Sequence, residues 1–179
     1  MGAERYRRFL DGDLSGIAEI VREYKNGLIY YAASIVGSIQ EAEDVTEETF
    51  LKLMIKRPRD KGGSSFKTWL YTIARNIALN RLRREKRIAG EIPTDIAGME
   101  DLEREYLLEE RRQAVHRCMF GLKPEYRQIL TLIYFEDFTA KEAAAIMKKS
   151  VHAAEMLASR ARTALKDELL KEGFTYEEL

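Results

Sequence analysis

Thr72, Asn76 and Asn80 follow one another at steps of four residues, and Arg83 and Arg84 continue the series. On an α-helix that spacing lays them along one side. Amides both donate and accept hydrogen bonds, which suits base edges, and guanidinium groups suit phosphate oxygens. The chemistry on offer is nucleic-acid recognition, although an ordinary polar helix face has the same composition. Upstream, Gly62-Gly63-Ser64-Ser65 either lets backbone approach a ligand closely or is a simple surface loop. In the C-terminal part, Lys148 and Lys149 precede a segment carrying Arg160, Arg162 and Lys166. Those cations can hold phosphates while outward residues at the start of a helix reach bases in the major groove. A helical hairpin used only for packing is the alternative.

Other chemistry is poorly served. The sequence has no Walker-type phosphate loop, no dinucleotide fingerprint and no His-Glu-x-x-His. His116 and Cys118 are two apart and diverge on a helix, and His152 lies on another predicted helix, so no metal site is expected. Glu47-Glu48 and Glu109-Glu110 read as wet helix faces rather than acid pairs. No catalytic residue, cofactor or small-molecule substrate is expected, and the chain reads as a non-enzyme.

The 179 residues suffice for one medium domain or two small ones. Thirty Lys and Arg balance 30 Asp and Glu, so any nucleic-acid surface must come from segregated charge. One cysteine precludes an internal disulfide and suits a reducing compartment. The first residues lack an apolar leader and a myristoylation signal. The most apolar run, residues 28–36, is far shorter than the roughly 20 residues a membrane helix needs. The expectation is a cytoplasmic protein without membrane insertion.

Elements that position the polar groups can be read from apolar spacing. Few prolines, no strand-like alternation and repeated three- and four-residue steps predict an all-α chain. Asp13 caps a helix whose stripe is Leu14, Ile17, Val21, Tyr24, Leu28, Ala32 and Ile35, with Asn26-Gly27 as a possible break and Gly37-Ser38 as its end. A second helix spans about residues 40–56, turning Ala42, Val45, Phe50, Leu53 and Met54 inward and Glu41, Asp44, Glu47 and Glu48 outward. Pro58 and the paired glycines make a loop. Ser65 caps a third helix that buries Phe66, Trp69, Leu70, Ile73 and Ile77 and ends in a basic tail. Residues 88–100, punctuated by Gly90, Pro93 and Gly98 and rich in acid, read as an interdomain linker. Beyond it a helix runs through Leu108, Val115, Met119 and Leu122 to Gly121, and Pro124 opens the next. Phe138-Thr139 caps the segment 140–147, Lys148-Lys149-Ser150 turns the chain, and a last helix buries Val151, Ala154, Ala158, Ala161 and Leu165. Two helices joined by so short a turn make a helix-turn-helix.

Three stretches in this order resemble the landmarks of a known family. They are Ala42-Glu43-Asp44-Val45-Thr46-Glu47-Glu48-Thr49-Phe50-Leu51; then Ser64-Ser65-Phe66-Lys67-Thr68-Trp69-Leu70-Tyr71-Thr72-Ile73-Ala74-Arg75-Asn76 with Asn80-Arg81-Leu82-Arg83-Arg84; and then Leu122-Lys123-Pro124-Glu125-Tyr126-Arg127, Tyr134-Phe135-Glu136 and the helix-turn-helix ending Arg160-Ala161-Arg162. From about Phe9 to Leu170 the chain resembles an extracytoplasmic-function (ECF) sigma factor, the small two-domain branch of the main bacterial sigma family.

The resemblance implies a transcription initiation factor that binds core RNA polymerase and directs promoter recognition and DNA melting. It divides the chain into a region-two-like domain at 1–87, a linker at 88–100 and a region-four-like helix-turn-helix domain at 101–179. It implies a polymerase contact at Asp44, Val45, Glu47, Glu48, Phe50 and Leu51. Minus-ten DNA would meet Lys61, Ser64, Ser65, Lys67, Thr72, Arg75, Asn76, Asn80, Arg83, Arg84 and Arg87, with an unstacked base captured near Asn76 and Asn80. The minus-thirty-five element would meet Lys149, His152, Glu155, Met156, Ser159, Arg160 and Arg162. An anti-sigma factor is implied as a further partner. This sequence departs from the family at the turn, where Lys148 replaces a usual glycine, and at Glu155 and Leu157, where basic residues are frequent. Three rivals are a stand-alone helix-turn-helix DNA-binding regulator, a helical adaptor without a DNA role, and a nucleic-acid-processing enzyme.

Overall fold

The computed structural model describes residues 1–58, 63–89 and 110–175, and among them every regular element is helical. Four helices form the N-terminal half: α1 (Gly2–Leu10), α2 (Leu14–Val36), α3 (Ile39–Lys56) and α4 (Phe66–Ala89). Four more form the C-terminal half: α5 (Glu110–Gly121), α6 (Pro124–Leu130), α7 (Ala140–Met147) and α8 (Val151–Lys171). A π-type turn at Thr131–Phe135 prolongs α6.

The capping signals act as read. Asp13 accepts from the Ser15 amide at 2.9 Å, and Gly37, at φ 78°, closes α2 in the left-handed region. Ser65 accepts from the Thr68 amide at 3.1 Å at the head of α4. Thr139 and Glu142 form a reciprocal capping box on α7, and Ser150, expected only as part of the turn, accepts from the Ala153 amide to cap α8. Between α7 and α8 the left-handed turn position is held by Lys148 at φ 54°. The glycine usual there is thus replaced without loss of the turn, at the steric cost of a Cβ in that region.

Several expectations need correction. α2 does not break at Asn26-Gly27 but runs unbroken, because Gly27 sits at a close crossing rather than at a turn. A Cβ at Gly27 would run into the Tyr71 hydroxyl and the Glu136 carboxylate. The first helix, α1, has no counterpart in the apolar pattern; it is fixed instead by Tyr6 and Phe9 packing inward and by Arg5 pairing with Glu19 and Glu23. The apolar spacing places Leu14, Met54 and Val151 in the core, but they lie in solvent, Leu14 at 68% exposure. Leu14 and Val151 are first residues of their helices, where the turn that would cover them is missing.

The two halves also share one hydrophobic core. Tyr30 of α2 packs edge-on against His116 and Phe120 of α5, with ring centroids 5.3 and 5.7 Å away, and against Phe135 at 5.1 Å. Tyr71 of α4 meets Phe138 edge-on at 5.0 Å. Such aromatic pairs add about 0.5–1.5 kcal/mol each beyond their buried area. The expected boundary at residue 87 falls inside α4, which continues to Ala89; most of the expected linker lies outside the described residues.

Candidate nucleic-acid interface

The α8 face is built by a short turn and a cap. Ala154 and Ala161 are buried against α7 and α6, which rotates His152, Glu155, Met156, Ser159, Arg160 and Arg162 outward, and all six are exposed. Leu157, read as outward, is instead partly buried against the core. Lys149 is less free than its neighbours, since its ammonium pairs with Glu125 at 3.0 Å.

The α4 face is longer and divides in two. Its distal part carries Thr72, Asn76, Asn80, Arg83 and Arg84 along one side. Asn80 and Arg83 are joined by a 2.9 Å hydrogen bond, with Arg83 donating, and Arg84 is exposed. Thr72 turns its hydroxyl back to the Thr68 carbonyl at 2.8 Å, so its remaining capacity is that of an acceptor. Arg75 is half-buried and sets its charge beside the Tyr31 hydroxyl, which makes it a support rather than part of the open face. Arg87 belongs to α4, while Lys61 lies outside the described residues.

The proximal part of α4 is occupied. Ser64 and Ser65 are exposed at its head, but Lys67 pairs with Glu136 at 3.3 Å and also donates to the Glu136 carbonyl. Its ammonium stands 4.6 Å above the Phe138 ring. The Tyr71 hydroxyl donates to the same Glu136 carboxylate. Burial, and then the Glu136 charge and hydrogen bond, push the Tyr71 phenol well above its usual pKa, so it remains a donor. Ser65 and Thr68 each place a hydroxyl 3.4 Å from the Glu142 carboxylate. The Thr139 amide and hydroxyl, with smaller help from Thr68 and Ser65, hold that carboxyl below its usual pKa. Sequence spacing missed Glu136 and Glu142 as interface groups because they reach α4 from the other half of the chain.

On α3, Asp44, Glu47, Glu48 and Leu51 face outward as expected. Val45 and Phe50, which the apolar spacing turns inward and the resemblance sets at the polymerase contact, lie beneath that surface at 0% and 7% exposure and hold it in place. Asp44 is paired with Arg81 of α4 at 3.0 Å. The acidic row runs into an apolar patch of Leu51, Met54 and Ile55, 51%, 43% and 76% exposed. Ile55 stands one helical turn beyond Leu51, and that spacing was the available signal for it.

His116 is accounted for by packing: its Nδ1 lies 2.7 Å from the Tyr30 hydroxyl. Cys118, two residues on, is buried.

Comparison with known proteins gives two family matches. Residues 20–88 match sigma-70 region 2, and residues 112–165 match sigma-70 region 4. The ECF RNA polymerase sigma factor SigW of Bacillus subtilis is 25% identical over 179 residues, covering 93% of this chain and 95% of that protein. The RNA polymerase sigma-H factor of Pseudomonas aeruginosa is 30% identical over 174 residues, covering 90% and 89%. Among solved structures, CnrH in complex with the cytosolic domain of CnrY superposes with a TM-score of 0.67 at 22% identity, over 96% of this chain and 98% of that one. The sigma factor RpoE in complex with the anti-sigma factor NepR from Bartonella quintana gives 0.65 at 24% identity, over 84% and 96%.

Proposed function

The chain belongs to the ECF branch of the sigma-70 family of RNA polymerase sigma factors, and from that premise we propose how its surfaces divide the work of initiation. It is an RNA polymerase-binding transcription initiation factor. The N-terminal half, to about residue 87, binds core polymerase through Asp44, Glu47, Glu48 and Leu51, extended by Met54 and Ile55. Acidic residues steer and register such a contact, and the apolar patch supplies area to bury.

The observation that carries the DNA reading is the α4 side on which Asn76 and Asn80 stand between Thr72 and the cations Arg83 and Arg84. Amides on that side read an unstacked base of the minus-ten element while the arginines and Lys67 hold phosphates. The exposed start of α8 reads the minus-thirty-five element, with Arg160 the principal donor. Nothing in this scheme makes or breaks a covalent bond in the chain's own sites, so the factor is not an enzyme. It acts in the cytoplasm, where polymerase and promoter are, and an anti-sigma protein is its regulator.

Permanganate footprinting of the promoter bubble tests the α4 assignment, because it reports melting separately from polymerase binding. The stand-alone regulator would use α8 alone and leave the acidic and apolar surface of α3 without a partner.

A further inference from the structure

Helix α1 lies ahead of the residues that match sigma-70 region 2, and it touches both the exit from α3 and the entry to α4. At the exit, the Tyr6 hydroxyl donates to the Pro58 carbonyl at 2.8 Å. The Arg57 guanidinium stands 5.0 Å above the Phe9 ring. Arg57 closes α3 at φ 41°, a left-handed conformation that an L-residue keeps only where its neighbours hold it. At the entry, the Tyr6 ring packs against Phe66 and Trp69, with centroids 5.6 and 5.4 Å away. Gly2 sits under the same Phe66, where a Cβ would stand 2.5 Å from the ring. Tyr6 and Phe9 are both buried. Burial raises the Tyr6 phenol to about 12 against the opposing charge of Arg57, so the hydroxyl stays a donor. One side chain thus joins the end of α3 to the head of α4, where Ser64 and Ser65 are exposed.

We propose that α1 is a clip that sharpens base preference at the minus-ten element, with Tyr6 and Arg57 as positioning residues for Ser64 and Ser65. This rests on the reading of Ser64, Ser65 and the distal α4 face as minus-ten residues. Ser64 is only six positions beyond Pro58. A backbone tethered on both sides gives up less freedom when Ser64 and Ser65 take hold of a base or phosphate. Neither Tyr6 nor Arg57 has to touch DNA for this. The clip acts through the Pro58 carbonyl and the Phe9 ring, so loosening it should blur the choice of base without removing any group that contacts the base. The α8 face shares no contact with α1, and upstream preference should be independent of it.

The test uses the full chain in holoenzyme, with a promoter library randomised separately at the minus-ten and minus-thirty-five elements and open complexes sequenced. Tyr6→Phe removes the hydroxyl alone and keeps the ring. Arg57→Gly removes the guanidinium, and glycine suits the left-handed position, so the turn survives. In both variants discrimination at the minus-ten element should fall about two- to tenfold, the span that one neutral hydrogen bond supports. Preference at the minus-thirty-five element should stay as in the unmodified chain. Arg8→Ala cuts the ties of α1 to Glu19 and Asp13, away from Pro58, and should leave both preferences unchanged. Unchanged minus-ten discrimination in both Tyr6→Phe and Arg57→Gly overturns the proposal. So does an equal loss at the two elements, or a loss in Arg8→Ala that matches Tyr6→Phe. Failure of the underlying reading looks different: Ser64→Ala and Asn80→Ala would then be silent at the minus-ten element too, and the proposal falls with it. If only the clip is wrong, those two variants still change minus-ten discrimination while Tyr6→Phe does not.

Discussion

Arg127 of α6 donates its Nε to the carbonyl of Ser34 at 3.1 Å, crossing from one half of the molecule to the other. Its Nη1 donates to the Phe120 carbonyl at 2.7 Å. Both acceptors lie in the last turn of a helix, α2 and α5, where carbonyls have no partner within the helix and the dipole is negative. One guanidinium thus satisfies two helix ends. Burial lowers the pKa of Arg127, yet a guanidinium stays charged at any ordinary pH, so the bonds are charge-assisted. Arg127→Met should cost about 1.5–3 kcal/mol, the range for hydrogen bonds to a charged group. Lys at this position should not restore it, since an ammonium lacks the fork that reaches both carbonyls. Urea denaturation read by circular dichroism checks both variants.

On α3, surface and support should separate. Glu48→Lys with Ile55→Ala should weaken binding to core polymerase by a few kcal/mol if the patch is desolvated in the complex, with the fold intact. Phe50→Ala should lose about 3–5 kcal/mol of stability, as expected for deleting a buried ring. Fluorescence anisotropy with core polymerase and a melting curve distinguish the two. Asp44→Lys is a less clean probe, because it also sets two cations together at Arg81.

Melting should depend on the distal α4 face. Asn80→Ala is expected to slow open-complex formation while leaving core binding unchanged, and it frees Arg83 from its present partner. An unaltered permanganate pattern in Asn76→Ala, Asn80→Ala and the double variant would remove base capture from this face.

At the upstream element, Arg160→Ala should cost about 1–3 kcal/mol and relax preference at one position if the guanidinium reads a base. If it clamps phosphate, binding should fall evenly across sequences and the salt dependence should shrink. Glu155→Lys should raise affinity for duplex generally by removing a carboxylate that repels the backbone. Competition over a library of upstream elements resolves these outcomes.

Acid should loosen the contact between the halves. Burial beside Tyr30 and Phe135 holds His116 below the ordinary histidine pKa of about 6.5. With the folded value depressed, the unfolded chain takes up the proton first. Stability is therefore complete above that ordinary value and lost as pH falls through it toward the folded one. Glu142, also depressed, titrates lower, from the carboxylate range downward. His116→Phe should flatten the slope between neutral pH and mild acid in denaturation midpoints.

The helices and most of their caps were legible because apolar period and capping chemistry are local: Asp13, Ser65 and Thr139 each mark the helix start that is observed, whereas Ser150, expected only as part of the turn, also caps its helix. The exposed start of α8 was legible for the same reason, as the complement of Ala154 and Ala161. What was not legible is tertiary. Met54 shares the apolar spacing of Val45 and Phe50, yet those two are buried and Met54 is exposed, and helix α1 is short and highly charged. The Glu136 contact to Lys67 joins residues 69 positions apart, and no periodicity reports such a pairing.

The most direct measurement is transcription in vitro from genomic DNA with core RNA polymerase and the purified chain, with transcript ends sequenced. Transcripts should depend on the chain and start at a fixed distance downstream of a shared pair of sequence elements, and they should be lost in the Glu48→Lys, Ile55→Ala variant. Random starts unaffected by the chain, together with tight binding of the chain alone to duplex sites, would contradict the proposed function.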